Sequence, residues 1–263
     1  MTQPVSRRNA LGMFSTTGLG ALLASCSSGG EGTASAPMTE ATVETVEGET
    51  ATVSPQTSGA LHPESFAAAG SCTLTRELTE GPYYFDVDSI RSDIREDRPG
   101  TTLRLGILVQ DSETCAPIPD AVLDVWHCDA GGSYSGFESA SQGSGGAAGG
   151  GPGGNSGPTD DETYLRGAQV TDAEGVVEFV TIYPGWYSGR TVHIHCKVHL
   201  DTTTLLFFDD ALATEVYAAE PYSAVGRDVD NTSDSIVEDS LVLTVTAADD
   251  GYLGLINFGV DPA

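Results

Sequence analysis

The sequence predicts an all-β protein built on a single β-sandwich domain, with long loops and a glycine-rich insertion. Three observations carry this reading. Short runs with alternating apolar residues recur between residues 101 and 260, Gly- and Pro-bearing turns separate them, and no segment shows helical periodicity over a useful length. The run "TTLRLGILVQD" (101–111) alternates Leu103, Leu105, Ile107 and Val109 with other residues, and "AVLDVWHCD" (121–129) follows a turn-like stretch. Residues 168–182 read as a hairpin about Asp-Ala-Glu-Gly, whose Gly175 suits a positive φ. Further strands are expected in 190–200, 203–210 and 240–260, with one short helix in 210–220. Between them, 139–161 is so rich in glycine that ordering it costs too much backbone entropy, and it reads as a flexible surface insertion.

The domain is expected to span 71–263, long enough for one substantial core and short for two. What precedes it reads differently. Arg7 and Arg8 stand before "LGMFSTTGLGALLA", a stretch too short and too rich in Gly, Ser and Thr for a membrane span, so 1–25 is expected to be a twin-arginine export signal. It ends in "LLASC", which resembles a lipobox. This implies cleavage before Cys26, lipidation of its sulfur and anchoring on the outer face of the cell membrane. Residues 26–70, with several Glu and no Lys or Arg, are expected to form a disordered tether that adds nothing to the core.

The net charge of -27, with Lys197 as the only lysine, excludes nucleic acid and anionic lipid surfaces as partners. Membrane association is expected only through the lipid anchor. Cys72, Cys115, Cys128 and Cys196 remain after Cys26 is set aside. In an exported protein one or two disulfides are expected among them, and three complete pairings are open; Cys196 could equally be a buried free thiol.

Candidate chemistry centres on "YPGWYSGRTVHIH" (183–195), which holds two of the five histidines. On a strand His193 and His195 project to one face, about 7 Å apart, so their rings can converge on a metal. The alternative is an ordinary strand with both rings in solvent. The stretches "TEGPYYFD" (79–86), "DVWHCDAGGSYSGF" (124–137), "RGAQVTDAEG" (166–175) and "TIYPGWYSGRTVHIHCKV" (181–198), in that order, resemble the intradiol ring-cleavage dioxygenases. The Pro-Gly-Trp-Tyr-x-Gly-Arg-x-x-His-x-His run is the specific part.

That resemblance implies a β-sandwich holding one non-haem Fe(III) through Tyr134, Tyr187, His193 and His195. It selects Tyr187 over Tyr183 as ligand. Arg190 is implied to lie by the substrate, where a permanent cation stabilises charge developing on the ring. Tyr187 is implied to be displaced when a catechol-type diol chelates the iron, and Tyr83 and Tyr84 to line the pocket. The implied reaction uses O2 to open an aromatic diol to a muconate-type dicarboxylic acid.

The donor types suit ferric iron on their own terms. Phenolate is a hard anionic donor, two of them offset two of three positive charges, and a ferrous site would be expected to include a carboxylate. His62, His127 and His199 are read as non-ligands, and Trp126 and Trp186 as core or pocket wall. Relatives commonly carry Gln where Leu205 stands here. The rival reading is therefore a non-catalytic surface lipoprotein that binds catechol or ferric-catecholate ligands; a zinc hydrolase would need a positioned general base.

Overall fold

The computed structural model describes residues 40–44, 48–87, 89–141 and 157–262. Ten strands appear among these residues: β1 (Ala41–Glu44), β2 (Thr50–Val53), β3 (Thr102–Asp111), β4 (Val122–Trp126), β5 (Arg166–Val170), β6 (Val176–Ile182), β7 (His193–Val198), β8 (Thr202–Phe207), β9 (Thr244–Ala248) and β10 (Gly251–Val260). Eight of them form two sheets, ordered β6-β3-β10-β9 and β5-β4-β7-β8, while β1 and β2 pair separately. Neighbours run antiparallel except β3 and β10, which are parallel. This is the predicted β-sandwich. The expected short helix is present as Asp210–Val216, capped by the Asp209 carboxylate, which accepts from the Ala211 and Leu212 amides.

Alternation along each strand decides what each face carries. Leu103, Leu105, Ile107 and Val109 of β3, with Phe179, Ile256 and Phe258, meet Leu123, Val125, Ile194, Cys196 and Val198 in a buried core between the sheets. The intervening residues of the second sheet point the other way. One transverse row of its outer face runs Arg166, Trp126, His195, Leu205 across β5, β4, β7 and β8. All four are at least 98 % buried, because loops cover that end of the sheet. The other end, at Val122, Ala168 and Val170, is covered by Ala41 and Val43 of β1.

Two expectations are corrected. Residues 168–182 are not a hairpin: β5 pairs with β4 in one sheet and β6 with β3 in the other. The turn itself is tight, with Asp172 N–H donating to Val176 O and Gly175 at φ +75. Val109 N–H takes the Gly175 carbonyl and Thr171 N–H takes that of Ala121, so each strand leaves the turn with a different partner. The second correction concerns 26–70. Its described part is packed, with Leu61, Phe66 and Ala69 burying the outer face of the first sheet against Leu108, Val176 and Leu255. Ser58 N–H and Oγ both reach the Glu178 carboxylate, which also pairs with Arg104. The described residues of this segment carry few apolar side chains because they lie over formed sheets and need few to do so.

Cys72 and Cys115 are joined by a disulfide, with Cα atoms 5.4 Å apart; Cys128 and Cys196 are buried free thiols. The expected signal peptide and Cys26 lie outside the described residues, as does 142–156 of the glycine-rich insertion.

Candidate metal centre

β7 brings His193 and His195 to the covered outer face, with ring centroids 4.9 Å apart, while Ile194 and Cys196 enter the core. His193 Nδ1 lies 2.7 Å from the Thr191 carbonyl. A carbonyl only accepts, so Nδ1 carries the proton and Nε2 presents its lone pair. Tyr187, from the loop after β6, donates its hydroxyl to that Nε2 at 3.0 Å. The His195 ring stacks on Trp126, with centroids 4.9 Å apart and planes 12° from parallel. Gly81 closes over it: its φ is +75, and a Cβ there would stand 2.9 Å from His195 Cε1, so the position needs glycine twice over.

Tyr134 arrives from the loop after β4. The Asp129 carboxylate accepts from the Gly131 and Ser133 amides and Gly132 N–H donates to Asp129 O, which sets the turn. The Tyr134 ring is fully buried, 5.8 Å from that of Tyr187 and 6.1 Å from that of His195. The structure therefore gathers all four residues that the resemblance names as ligands. Tyr183, the competing tyrosine, is buried between the sheets against Phe208.

Two polar atoms in this cluster are buried without a partner, the Tyr134 hydroxyl and His195 Nδ1. An unsatisfied buried polar atom costs about 1–3 kcal/mol, so such groups in one place point to a missing partner. Burial pushes both phenol pKa values up, that of Tyr134 helped by Tyr187. It lowers that of His193 to about 3, with Arg190 adding to the effect, and takes His195 well below its ordinary value. Without a cation the cluster is thus four neutral donors in a largely buried site. Among the described residues no three His, Cys, Asp or Glu gather as a metal site, so a metal here would depend on the phenol oxygens. Two hard oxygens and two imidazoles fit a ferric ion.

Arg190 lies beside the cluster. Its Nε donates to Asp234 Oδ2 at 2.8 Å, Thr191 N–H donates to the same oxygen, and Arg190 Nη2 is buried without a partner. Although burial opposes it, the Thr191 amide and Arg190 hold the Asp234 carboxyl below its ordinary pKa. Asp234 had no sequence signal. It sits 44 residues from Arg190 within an acid-rich stretch where any carboxylate looks like another.

Tyr83 packs on Tyr134 at 4.7 Å between centroids. Tyr84 is one ring removed: it packs on Trp126, and its hydroxyl donates to Asp124 Oδ2 at 2.8 Å. Leu205 faces the same side as His195, directly across the β7–β8 ladder. The other histidines are engaged elsewhere. His127 donates from Nδ1 to Cys128 O and meets Thr181 Oγ1 through Nε2, His199 pairs with Asp124, and His62 with Glu174.

The chain is similar to known proteins along most of its length. A chlorocatechol 1,2-dioxygenase from Rhodococcus opacus is 29% identical over 206 residues, which span 68% of each protein. Among solved structures, an intradiol ring-cleavage dioxygenase from Tetranychus urticae superposes with a TM-score of 0.65 at 32% identity, covering 73% of this chain and 96% of that one. The dioxygenase domain of a carbohydrate-binding fusion protein from Streptomyces sp. SirexAA-E gives 0.51 at 29% identity, covering 72% and 99%. No family model matches the chain.

Proposed function

The chain belongs to the intradiol ring-cleavage dioxygenases, and from that premise we propose that it opens a catechol-type aromatic diol with O2 to a muconate-type dicarboxylic acid. The observation that carries the reading is the buried cluster of Tyr134, Tyr187, His193 and His195, with its two unpartnered polar atoms. These four residues would hold Fe(III). Bound there, ferric iron would draw electron density from a chelated diol and make its ring reactive toward dioxygen.

The chain's own groups divide the remaining work. Tyr134, fully buried, is the fixed oxygen donor. Tyr187 is less enclosed, and as the phenolate it would be when holding the metal, its Oη is the atom suited to take a proton from a diol hydroxyl as the substrate docks. Trp126 stacks on the His195 ring and Gly81 closes on its Cε1 edge, which keeps the ring buried. Arg190, oriented by Asp234, supplies a fixed positive charge next to the reacting ring. Tyr83 roofs Tyr134, and Tyr84 supports Trp126.

Export by the twin-arginine route and anchoring through lipidated Cys26 belong to the same proposal and rest on the amino-terminal sequence alone. The test of the activity is product analysis after incubation of the ferric-loaded protein with catechol and ¹⁸O₂. A dicarboxylic acid carrying both labelled atoms is the expected result. Catechol recovered intact, with only a change in visible spectrum, would instead mean a binding protein and overturn the enzyme reading.

A further inference from the structure

Arg166 stands in the same transverse row as Trp126 and His195, and its contacts are unusual for a buried cation. It is only 2 % exposed. Its Nε donates to Ser135 Oγ and its Nη2 to Ser135 O, both at 2.8 Å, while Nη1 is buried without a partner. Its plane lies over the Phe85 ring, 4.4 Å from the centroid, with Phe137 at 5.8 Å. Among the described residues no carboxylate is ion-paired with it. Burial lowers its pKa to about 10, which still leaves it charged at neutral pH.

A guanidinium buried on neutral partners is expensive to maintain if it only fastens a loop, since a neutral amide could satisfy Ser135 equally well. Ser135 directly follows Tyr134, whose own amide donates to Ser141 Oγ at 2.9 Å. The loop is thereby held on both sides of the tyrosine. We propose that Arg166 is a positioning residue for Tyr134: its fork fixes the peptide next to that side chain, and its charge offsets the phenolate that binds the metal. This rests on the reading of Tyr134 as a ferric ligand.

The test compares ferric-loaded wild type, Arg166→Lys and Arg166→Met, with Tyr134→Phe as the control for the site. Readouts are the visible spectrum, iron retained against a chelator, and kcat and KM, with near-ultraviolet circular dichroism to confirm folding. Arg166→Met should move the tyrosinate-to-iron band to longer wavelength, because losing a cation beside a phenolate raises the donor level. Iron retention should weaken about 10- to 100-fold, the range for removing the group behind a metal ligand. Arg166→Lys should keep the band position, yet hold iron less well than wild type for lack of the fork. Folded Lys and Met variants with wild-type band, retention and kcat overturn the proposal. If the Met variant does not fold, wild-type iron retention by the Lys variant is enough to overturn it. A wild type with no such band, or a band unchanged in Tyr134→Phe, removes the ligand reading itself and this proposal with it.

Discussion

At Arg190 the charge and the planar fork can be separated by substitution. Arg190→Lys keeps the first and loses the second; Arg190→Leu loses both. If the guanidinium stabilises charge that develops only during ring opening, both variants should still bind iron and still show the diol-induced spectral change. Steady-state oxygen consumption should then give a kcat lower by roughly 10²-fold for Leu and by less for Lys. A rise in KM at constant kcat would mean that Arg190 only docks the substrate. Asp234 complicates the Leu variant, because its carboxylate, 3 % exposed, loses its cationic partner. Thermal melting must therefore accompany the kinetics. The candidate ligands were legible through the family resemblance, whose motifs run through 183–195 and the glycine-rich turn before Tyr134; spacing alone paired only His193 with His195. Asp234 and Arg166 were not, since neither adjoins a ligand in sequence and each reaches the site through contacts formed only on folding.

Individual strands were readable from alternation, but their partners were not. Residues 168–182 carry the local marks of a hairpin, and pairing instead follows the ladders offered by β3 and β4. Local sequence encodes a turn; the competition between possible neighbours is settled by the whole sheet. The segment before residue 71 misled for a related reason. Its mean polarity is that of a tether, yet Phe66, 1 % exposed, and Leu61 are placed where the outer face of the first sheet needs cover. Phe66→Ala should accordingly lower stability by about 3–5 kcal/mol in urea unfolding, the cost of truncating a buried phenylalanine. Iron loading of the folded protein should be unchanged, because Phe66 packs on the sheet that does not carry the candidate ligands. A change near zero would restore the view of this segment as a passive linker.

For the whole molecule, anchoring and fold should be separable. Cys26→Ser is expected to move the protein from the membrane fraction to the soluble extracellular fraction, with an unchanged circular dichroism spectrum and unchanged activity. Retention in the membrane fraction would reject a lipid anchor at that residue. The acidity of the chain acts at this scale as well: a net charge of -27 disfavours contact with anionic headgroups, so an anchored domain should stand off the bilayer rather than lie on it. Finally, β7 gives Ile194 and Cys196 to the core and His193 and His195 to the opposite face. A slip of one residue would exchange the two sets, putting imidazoles into the apolar interior and isoleucine into the donor cluster. On the proposed function the donor cluster would then proofread the fold, and in a refolding mixture the fraction able to take up iron would count the molecules whose strands have found their proper register.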